Sequence, residues 1–171
     1  DTVAKSIGHH AHWGFSSGFD FLEAILHANP SRTWDTTQPI NILLIQPGDI
    51  RHVILTISRR RRHVERCGGK LPAINFYLLE SPIEVLARDV LLLQVLNDYT
   101  VPIRQRSNTF LEIFGNNKVQ RRTSEYIEAL SKQLLQLSSK GAGTLQQLVD
   151  LSQFNYREKD MFETALRAYA T

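Results

Sequence analysis

The chain has 171 residues, of which 42% are hydrophobic and 22% are charged. This composition is typical of one globular domain, and it excludes a disordered chain, a collagen and a coiled-coil rod. The net charge of +3 is unevenly placed, because residues 51–70 carry seven Lys and Arg against one Glu. No apolar run approaches the ~18 residues of a membrane-spanning helix. The single cysteine, Cys67, excludes an intrachain disulfide and suits a reducing compartment.

The first segment, residues 1–14, is polar and rich in histidine, and we predict a flexible N-terminal arm there. Neighbouring histidines such as His9, His10 and His12 can bind a metal, but clusters in flexible arms are often incidental, so no metal site is predicted. Because the chain begins with Asp and not Met, we expect it to be part of a longer parent protein. Residues 15–171 are expected to form a single α/β domain.

A short amphipathic helix is predicted first within this domain, because Phe19, Leu22, Ile25 and Leu26 recur at helical spacing. The following segment, residues 29–39, contains two prolines and is expected to form a loop.

The first strand is predicted at residues 40–45, which read INILLI. A continuous apolar run of this kind is typical of a parallel sheet that is buried on both faces. Asp49 is then predicted to cap a helix, which carries apolar residues at positions i, i+3, i+4 and i+7 from Ile50.

A second strand and a second helix repeat this order. Residues 73–79 predict the strand, after a turn that contains two glycines. Ser81, Pro82 and Glu84 then form the capping-box pattern of a helix start, and this helix is expected to end near Leu96.

Residues 40–97 therefore predict strand, helix, strand, helix. Strands joined by helices of this length are parallel, with right-handed crossovers. We predict an α/β fold with a Rossmann-like front end of parallel strands and a helical second half. Ile42, Leu44, Phe76 and Leu78 are expected to be buried in the two strands.

The second half shows mainly helical patterns. Ser107 is predicted to cap a helix that ends near residue 115, and residues 124–138 predict a longer helix. Residues 101–103 allow one short strand.

Two further capping boxes follow glycine-rich residues. The first begins at Thr144 and predicts a short helix through Leu151. The second begins at Asn155 and predicts the last helix.

One candidate binding site follows the first strand, at Gln46-Pro47-Gly48-Asp49. Ligands of open α/β sheets bind outside the carboxyl ends of the strands, and a helix N-terminus favours anions. Glu80 ends the second strand and is placed to accept hydrogen bonds from ribose hydroxyls. The alternative is an ordinary strand-to-helix turn, with Glu80 favoured only by a helix dipole.

A second candidate is the basic run Arg59, Arg60, Arg61 and Arg62, which suits an acidic protein partner, a phosphate or an RNA. The alternative is a solvated helix end, where the dipole favours cations. No aromatic residue interleaves the run, so nucleic-acid binding is not expected. For exposed arginines, replacement of Arg60 or Arg61 by Ala should change stability by ~0.5 kcal/mol or less. No catalytic residue is predicted, because no nucleophile or metalloenzyme motif occurs.

Several segments together resemble the N-terminal region of the dynein axonemal assembly factor 3 family. They occur in the family's order over nearly the whole chain. The segments are HWGF at 12–15, FD at 19–20, NILLI at 41–45, GDIRH at 48–52, NFYLLE at 75–80, EVLAR at 84–88, RSNTFLEIFGN at 106–116 and YREKDMFE at 156–163.

This resemblance implies a cytoplasmic factor that helps to assemble axonemal dynein arms before they enter cilia or flagella. The implied partners are axonemal dynein chains and other assembly factors or chaperones, with neither a membrane nor a nucleic acid among them.

The same family resembles class I methyltransferases in fold, which implies a protein methyltransferase of dynein chains as the alternative function. The implied cofactor is S-adenosylmethionine, with Gly48 near its methionine part, Glu80 at its ribose and Asp49 beside them. The chain departs from typical methyltransferases at residues 46–49, where those enzymes have an acidic loop with several glycines. Two strands cannot make the full sheet of that fold, so this chain alone is expected to be inactive.

Overall fold

The computed structural model describes residue 14 and residues 16–29, 34–80, 82–116, 118–140 and 145–170. The chain divides into two compact units, Asp1–Glu80 and Ser81–Thr171. The flexible arm over 1–14 and the single domain over 15–171 stay predictions.

The first unit contains α1 (Phe21–Ala28), β1 (Ile40–Ile45), α2 (Arg51–Arg66) and β2 (Ile74–Leu79). The two strands pair in parallel, with Ile40 opposite Ile74 and Ile45 opposite Leu79. This confirms the predicted parallel pair joined by a helix. The wider Rossmann-like fold stays a prediction, because the described strands form a sheet of only two.

Within the described part of the chain, helices cover one face of this sheet. Ile42 and Leu44 are buried there, where Val53 of α2 and side chains of α1 pack against them. The opposite face exposes Leu43, Ile45, Tyr77 and Leu79, each by half or more of its surface. The predicted burial of β1 on both faces is therefore wrong for the described residues, because both helices lie on the same side.

The second strand is also less buried than predicted. Phe76 and Leu78 lie on the covered face, but each is only half-buried. An apolar run in a sequence indicates which side chains are hydrophobic. It does not indicate how completely neighbouring elements cover them.

The second unit contains α3 (Ile83–Asn97), α4 (Ile103–Gly115), α5 (Arg121–Lys140) and α6 (Tyr156–Tyr169). Helix α3 lies at its centre and packs against the other three helices, and α5 also packs against α6. The core is built mainly from these helices. Its buried members are Ala87, Val90, Leu91, Val95, Ile127, Leu130, Leu134, Leu137, Leu145, Phe162 and Leu166.

Two helix starts in the second half differ from prediction. Helix α4 begins at Ile103 after Pro102 and not at Ser107, which lies within it, so residues 101–103 form no strand. The carbonyl of Pro102 accepts the first helical hydrogen bonds, from Gln105 and Arg106. Residues 145–148 form a turn where a short helix was predicted, and its predicted cap Thr144 lies outside the described residues.

Other boundaries agree more closely. The capping box of α6 is confirmed, since the side chains and backbone of Asn155 and Glu158 form both reciprocal hydrogen bonds. Helix α3 begins at Ile83 with Pro82 as its N-cap, while the predicted cap Ser81 is not among the described residues. No described helix is long and apolar enough to cross a membrane.

Candidate functional site

The candidate site lies in the first unit, where β1 ends and α2 begins. Gln46 has a backbone φ of +49° and Gly48 one of +74°, so the chain reverses through two left-handed positions. Such a conformation is easy for glycine and uncommon for glutamine. The Gln46 N–H continues the ladder by donating to the Leu79 carbonyl at 2.8 Å, which brings the ends of the two strands together.

Glu80 and Gly48 meet at this turn, as the sequence predicts. The Gly48 N–H donates to Oε2 of Glu80 at 2.9 Å, across 32 residues of chain. A ribose hydroxyl bound at Oε2 would have to share that oxygen with the Gly48 N–H. The cofactor role of Glu80 and Gly48 stays a prediction, and the observed bond gives Glu80 a structural role in closing the turn.

Asp49 is completely buried and has several partners. Its carboxylate accepts hydrogen bonds from the Gly14 N–H at 2.7 Å and the Arg51 N–H at 2.9 Å. It also forms an ion pair with the Arg51 guanidinium, which in turn donates to the Ser16 hydroxyl at 2.8 Å. Asp49 therefore ties the segment around residue 14 to the start of α2, and its predicted place in a cofactor site is not tested by these contacts.

The same segment continues along α2 through two more hydrogen bonds. The Phe19 N–H donates to Nδ1 of His52 at 2.8 Å, and the Phe21 N–H donates to the Thr56 hydroxyl at 3.1 Å. Burial, and then the nearby Arg51 charge, lower the pKa of His52, which favours the neutral ring that can accept at Nδ1. Sequence motifs at 14, 19–20 and 48–52 thus belong to one contact surface.

A buried cluster lies further along α2. His63 is buried, with its Nε2 2.9 Å from Oδ2 of Asp20, and its Nδ1 lies 3.6 Å from Glu23. These three residues can each offer one atom to a metal ion. Their carboxylates already have cationic neighbours, since Arg66 contacts Glu23 at 2.6 Å and Arg59 lies 3.8 Å from Asp20.

Sequence reasoning missed this cluster, although one signal was present. His63 comes seven residues after Thr56, and this helical spacing places both on the same face of α2, where both are buried. Its partner Asp20 was visible in the FD segment at residues 19–20, but nothing in the sequence related two residues that lie 43 positions apart.

The four arginines of the basic run differ in environment. Arg60 is half-buried, and its guanidinium donates to the carbonyls of Leu71 at 3.2 Å and Pro72 at 2.8 Å. Arg61 is 90% exposed in its side chain and pairs with Glu65 on the next turn. Arg62 is exposed, and Arg59 is about half-exposed. The partner-binding role of the run stays a prediction, and Arg60 also holds the loop before β2.

A family model described as a domain of unknown function, DUF4470, matches residues 12–119. Curated proteins named dynein axonemal assembly factor 3, or its homolog, are similar over most of the chain. The Chlamydomonas reinhardtii protein is 32% identical over 94% of this chain. The Xenopus laevis protein is 28% identical over 88% of it, and the human protein is 27% identical over 92%.

These relatives are much longer than the chain. The matched region covers 25% of the Chlamydomonas protein, 31% of the Xenopus laevis protein and 29% of the human protein. No solved structure is significantly similar to the chain. The comparisons confirm the resemblance seen in the sequence and add no support to a methyltransferase fold.

Proposed function

The chain belongs to the DUF4470 family, and on that premise we propose that it is a protein-contact domain of a cytoplasmic assembly factor for axonemal dynein arms. The observation that carries the proposal is its similarity, over about nine-tenths of its length, to proteins named for that role. Its partners would be axonemal dynein chains and other assembly factors or chaperones.

The contacts around α2 support a binding domain. The carboxylate of Asp49 accepts from the Gly14 N–H, and the ring of His52 accepts from the Phe19 N–H. These side chains therefore hold the segment against α2, and we assign the contacts with partner proteins to the exposed surfaces of the two units.

The experiment is a domain replacement in Chlamydomonas reinhardtii. The strain lacks the Chlamydomonas relative described above. It receives a copy of that relative in which the matching region is replaced by this chain, and the dynein content of isolated axonemes is measured by immunoblot. We expect restored dynein arms. A replacement protein that accumulates normally, yet leaves axonemes without arms, would contradict the proposal.

The finer fold proposal is that β1, α2 and β2 form the front end of a Rossmann-like sheet resembling class I methyltransferases. Two features support it: the strands are parallel, and the exposed sheet face carries apolar side chains, as expected of a sheet covered on both faces in a larger protein. The methyltransferase alternative requires S-adenosylmethionine at Gly48 and Glu80.

Calorimetry separates the two functions. Because residues 46–49 replace the acidic, glycine-rich loop of typical methyltransferases, and Oε2 of Glu80 already accepts from the Gly48 N–H, we expect no saturable heat when S-adenosylmethionine is added to this chain. Saturable binding that Glu80→Gln weakens would instead favour the methyltransferase alternative.

A further inference from the structure

A groove lies within the second unit, between α4 and α5. Both helices pack against α3, and the space between them contains two cavities of about 130 Å³ and about 650 Å³. Arg122 lines both cavities, so they adjoin. The larger one is open and is lined by Asn108, Leu111 and Asn116 of the α4 region. Those three residues belong to the RSNTFLEIFGN segment, for which the contacts described above assign no role.

Among the described residues, one carboxylate lines the groove, that of Glu112, and neighbours in the same unit hydrogen-bond to it. Glu112 accepts hydrogen bonds from the Gln120 N–H and from the Thr123 hydroxyl, the latter at 2.7 Å. Tyr126 of the smaller cavity donates its hydroxyl to Asp98, which is not among the lining residues, at 2.6 Å. Arg122 lies close enough to Glu112 for its charge to lower the pKa of that carboxyl, after the hydrogen bonds from Gln120 and Thr123.

The cations of the groove are held less firmly than Glu112. Within the described part of the chain, Lys118 and Arg122 make no hydrogen bond or ion pair, whereas Arg121 beside them pairs with Glu125 at 2.9 Å. The N-terminal end of α5 adds positive potential at the same place. The lining of the larger cavity thus contains two cations and one carboxylate, together with Leu111, whose side chain is 64% exposed.

We propose that this groove binds an acidic peptide segment of a partner protein. Carboxylates of the segment would pair with Lys118 and Arg122, and an apolar side chain would cover Leu111. Asn108 and Asn116 would supply hydrogen bonds to its backbone, as polar groups at the rim of peptide sites do. The inference adds to the proposed function the kind of segment that a partner protein would present. It rests on the proposed function only for which protein that partner is.

A nucleic acid fits the groove less well. Single strands bind to aromatic platforms on which bases stack. Among the described residues, Tyr126 is the one aromatic ring that lines the groove, and it belongs to the smaller cavity and is hydrogen-bonded to Asp98. An exposed leucine in the same cavity as two cations suits a peptide with both acidic and apolar residues.

The test titrates the whole chain into a fluorescently labelled peptide of Glu and Leu and measures the anisotropy of the label. A second peptide, with Lys in place of Glu, is the control. We expect binding of the acidic peptide only, weakened by added salt, because the contacts are partly exposed charges. Arg122→Gln should lower the affinity about fivefold to tenfold, as loss of an important interface side chain does.

Matched control variants outside the groove show whether a loss of affinity is specific to groove residues. Arg121→Gln changes the neighbouring arginine, which lies outside both cavities, and should change the affinity less than about twofold. Leu111→Ser should weaken binding, whereas Leu148→Ser, at a residue 68% exposed and outside the groove, should not. Circular dichroism of each variant checks that the fold is retained.

Three results would overturn the proposal. They are no binding at roughly millimolar peptide, equal losses for Arg121→Gln and Arg122→Gln, and tighter binding of a single-stranded oligonucleotide that Arg122→Gln abolishes. Because this test needs no dynein, its failure would leave the domain-replacement experiment to judge the assembly role separately.

Discussion

Arg60 illustrates how one residue of a uniform sequence run acquires a distinct role. Four consecutive arginines have the same chemistry, and all were expected to be solvated. The turn at Gly68 and Gly69, with φ of +70° and +87°, sends the chain back past α2, so the carbonyls of Leu71 and Pro72 come within reach of Arg60 alone.

These contacts replace the small effect predicted for an exposed Arg60: we now predict that Arg60→Ala lowers the free energy of unfolding by about 1–3 kcal/mol, because charge-assisted bonds to two carbonyls are lost. Arg61→Ala, which removes one exposed helix pair, should change it by ~0.5 kcal/mol or less. Urea unfolding of both variants measures the difference. Equal effects would mean that the Arg60 contacts contribute nothing to stability.

Glu80 allows a second comparison at the same scale. Glu80→Ala leaves the Gly48 N–H without its acceptor and should cost about 1–2 kcal/mol. Glu80→Gln keeps an oxygen acceptor and should cost less than half as much. Thermal unfolding of the two variants provides the measurement, and similar losses would show that the amide oxygen does not replace the carboxylate.

Helices α3 and α4 stabilise each other's C-terminal ends through two arginines. Arg88 of α3 donates to the Phe114 carbonyl at 2.7 Å, and Arg106 of α4 donates to the Leu96 carbonyl. The last carbonyls of a helix lack helical hydrogen-bond donors and carry partial negative charge. A guanidinium supplies both the donor and a positive charge. This exchange of contacts explains why two arginines are largely buried in the second unit.

Glu112 connects α4 to the start of α5, and its titration should be visible in stability. Hydrogen bonds from the Gln120 N–H and then the Thr123 hydroxyl lower the pKa of Glu112 below its ordinary 4.5. The folded form therefore binds this proton less readily than the unfolded form, so the stabilisation is present above pH 4.5 and is lost as the pH falls below it.

We predict that Glu112→Gln flattens the fall in melting temperature below pH 4.5 compared with the unaltered chain. Glu125→Gln is the control, because Glu125 pairs only with the exposed Arg121 on its own helix. An unchanged pH profile in Glu112→Gln would mean that the connection between α4 and α5 does not depend on this charge.

At the scale of the whole molecule, each unit has its own hydrophobic core. The core of the second unit is large and is built around α3, with Phe162 completely buried in it. The core of the first unit is small and lies on one face of a two-stranded sheet. Local stability follows the apolar area that an element buries, so the second unit should resist opening more than the first.

We predict that Phe162→Ala destabilises the second unit by about 3–5 kcal/mol, through lost burial and a residual cavity. Met161→Ala is the matched control, since Met161 lies next to it on α6 and is 42% exposed. Amide hydrogen exchange followed along α3, α5 and α6 reports on this unit alone. A loss of protection no larger than that of Met161→Ala would contradict the assigned core.

The sequence alone predicted the elements that depend on local chemistry. Both strands, the parallel order, the capping box at Asn155 and the end of α4 near residue 115 follow from apolar spacing and backbone preferences that act within a few residues. It also placed Gly48 and Glu80 in one candidate site, because parallel strands bring their carboxyl ends to the same edge of the sheet.

Only the tertiary structure decided what lies against these elements. It showed that one sheet face stays open at Leu43 and Tyr77, that Asp20 meets His63, and that Arg60 alone among its neighbours reaches the loop before β2. Each of these depends on a partner many residues away along the chain. Spacing in a sequence expresses which face of an element is apolar, but burial and pairing are set by which distant element packs against that face.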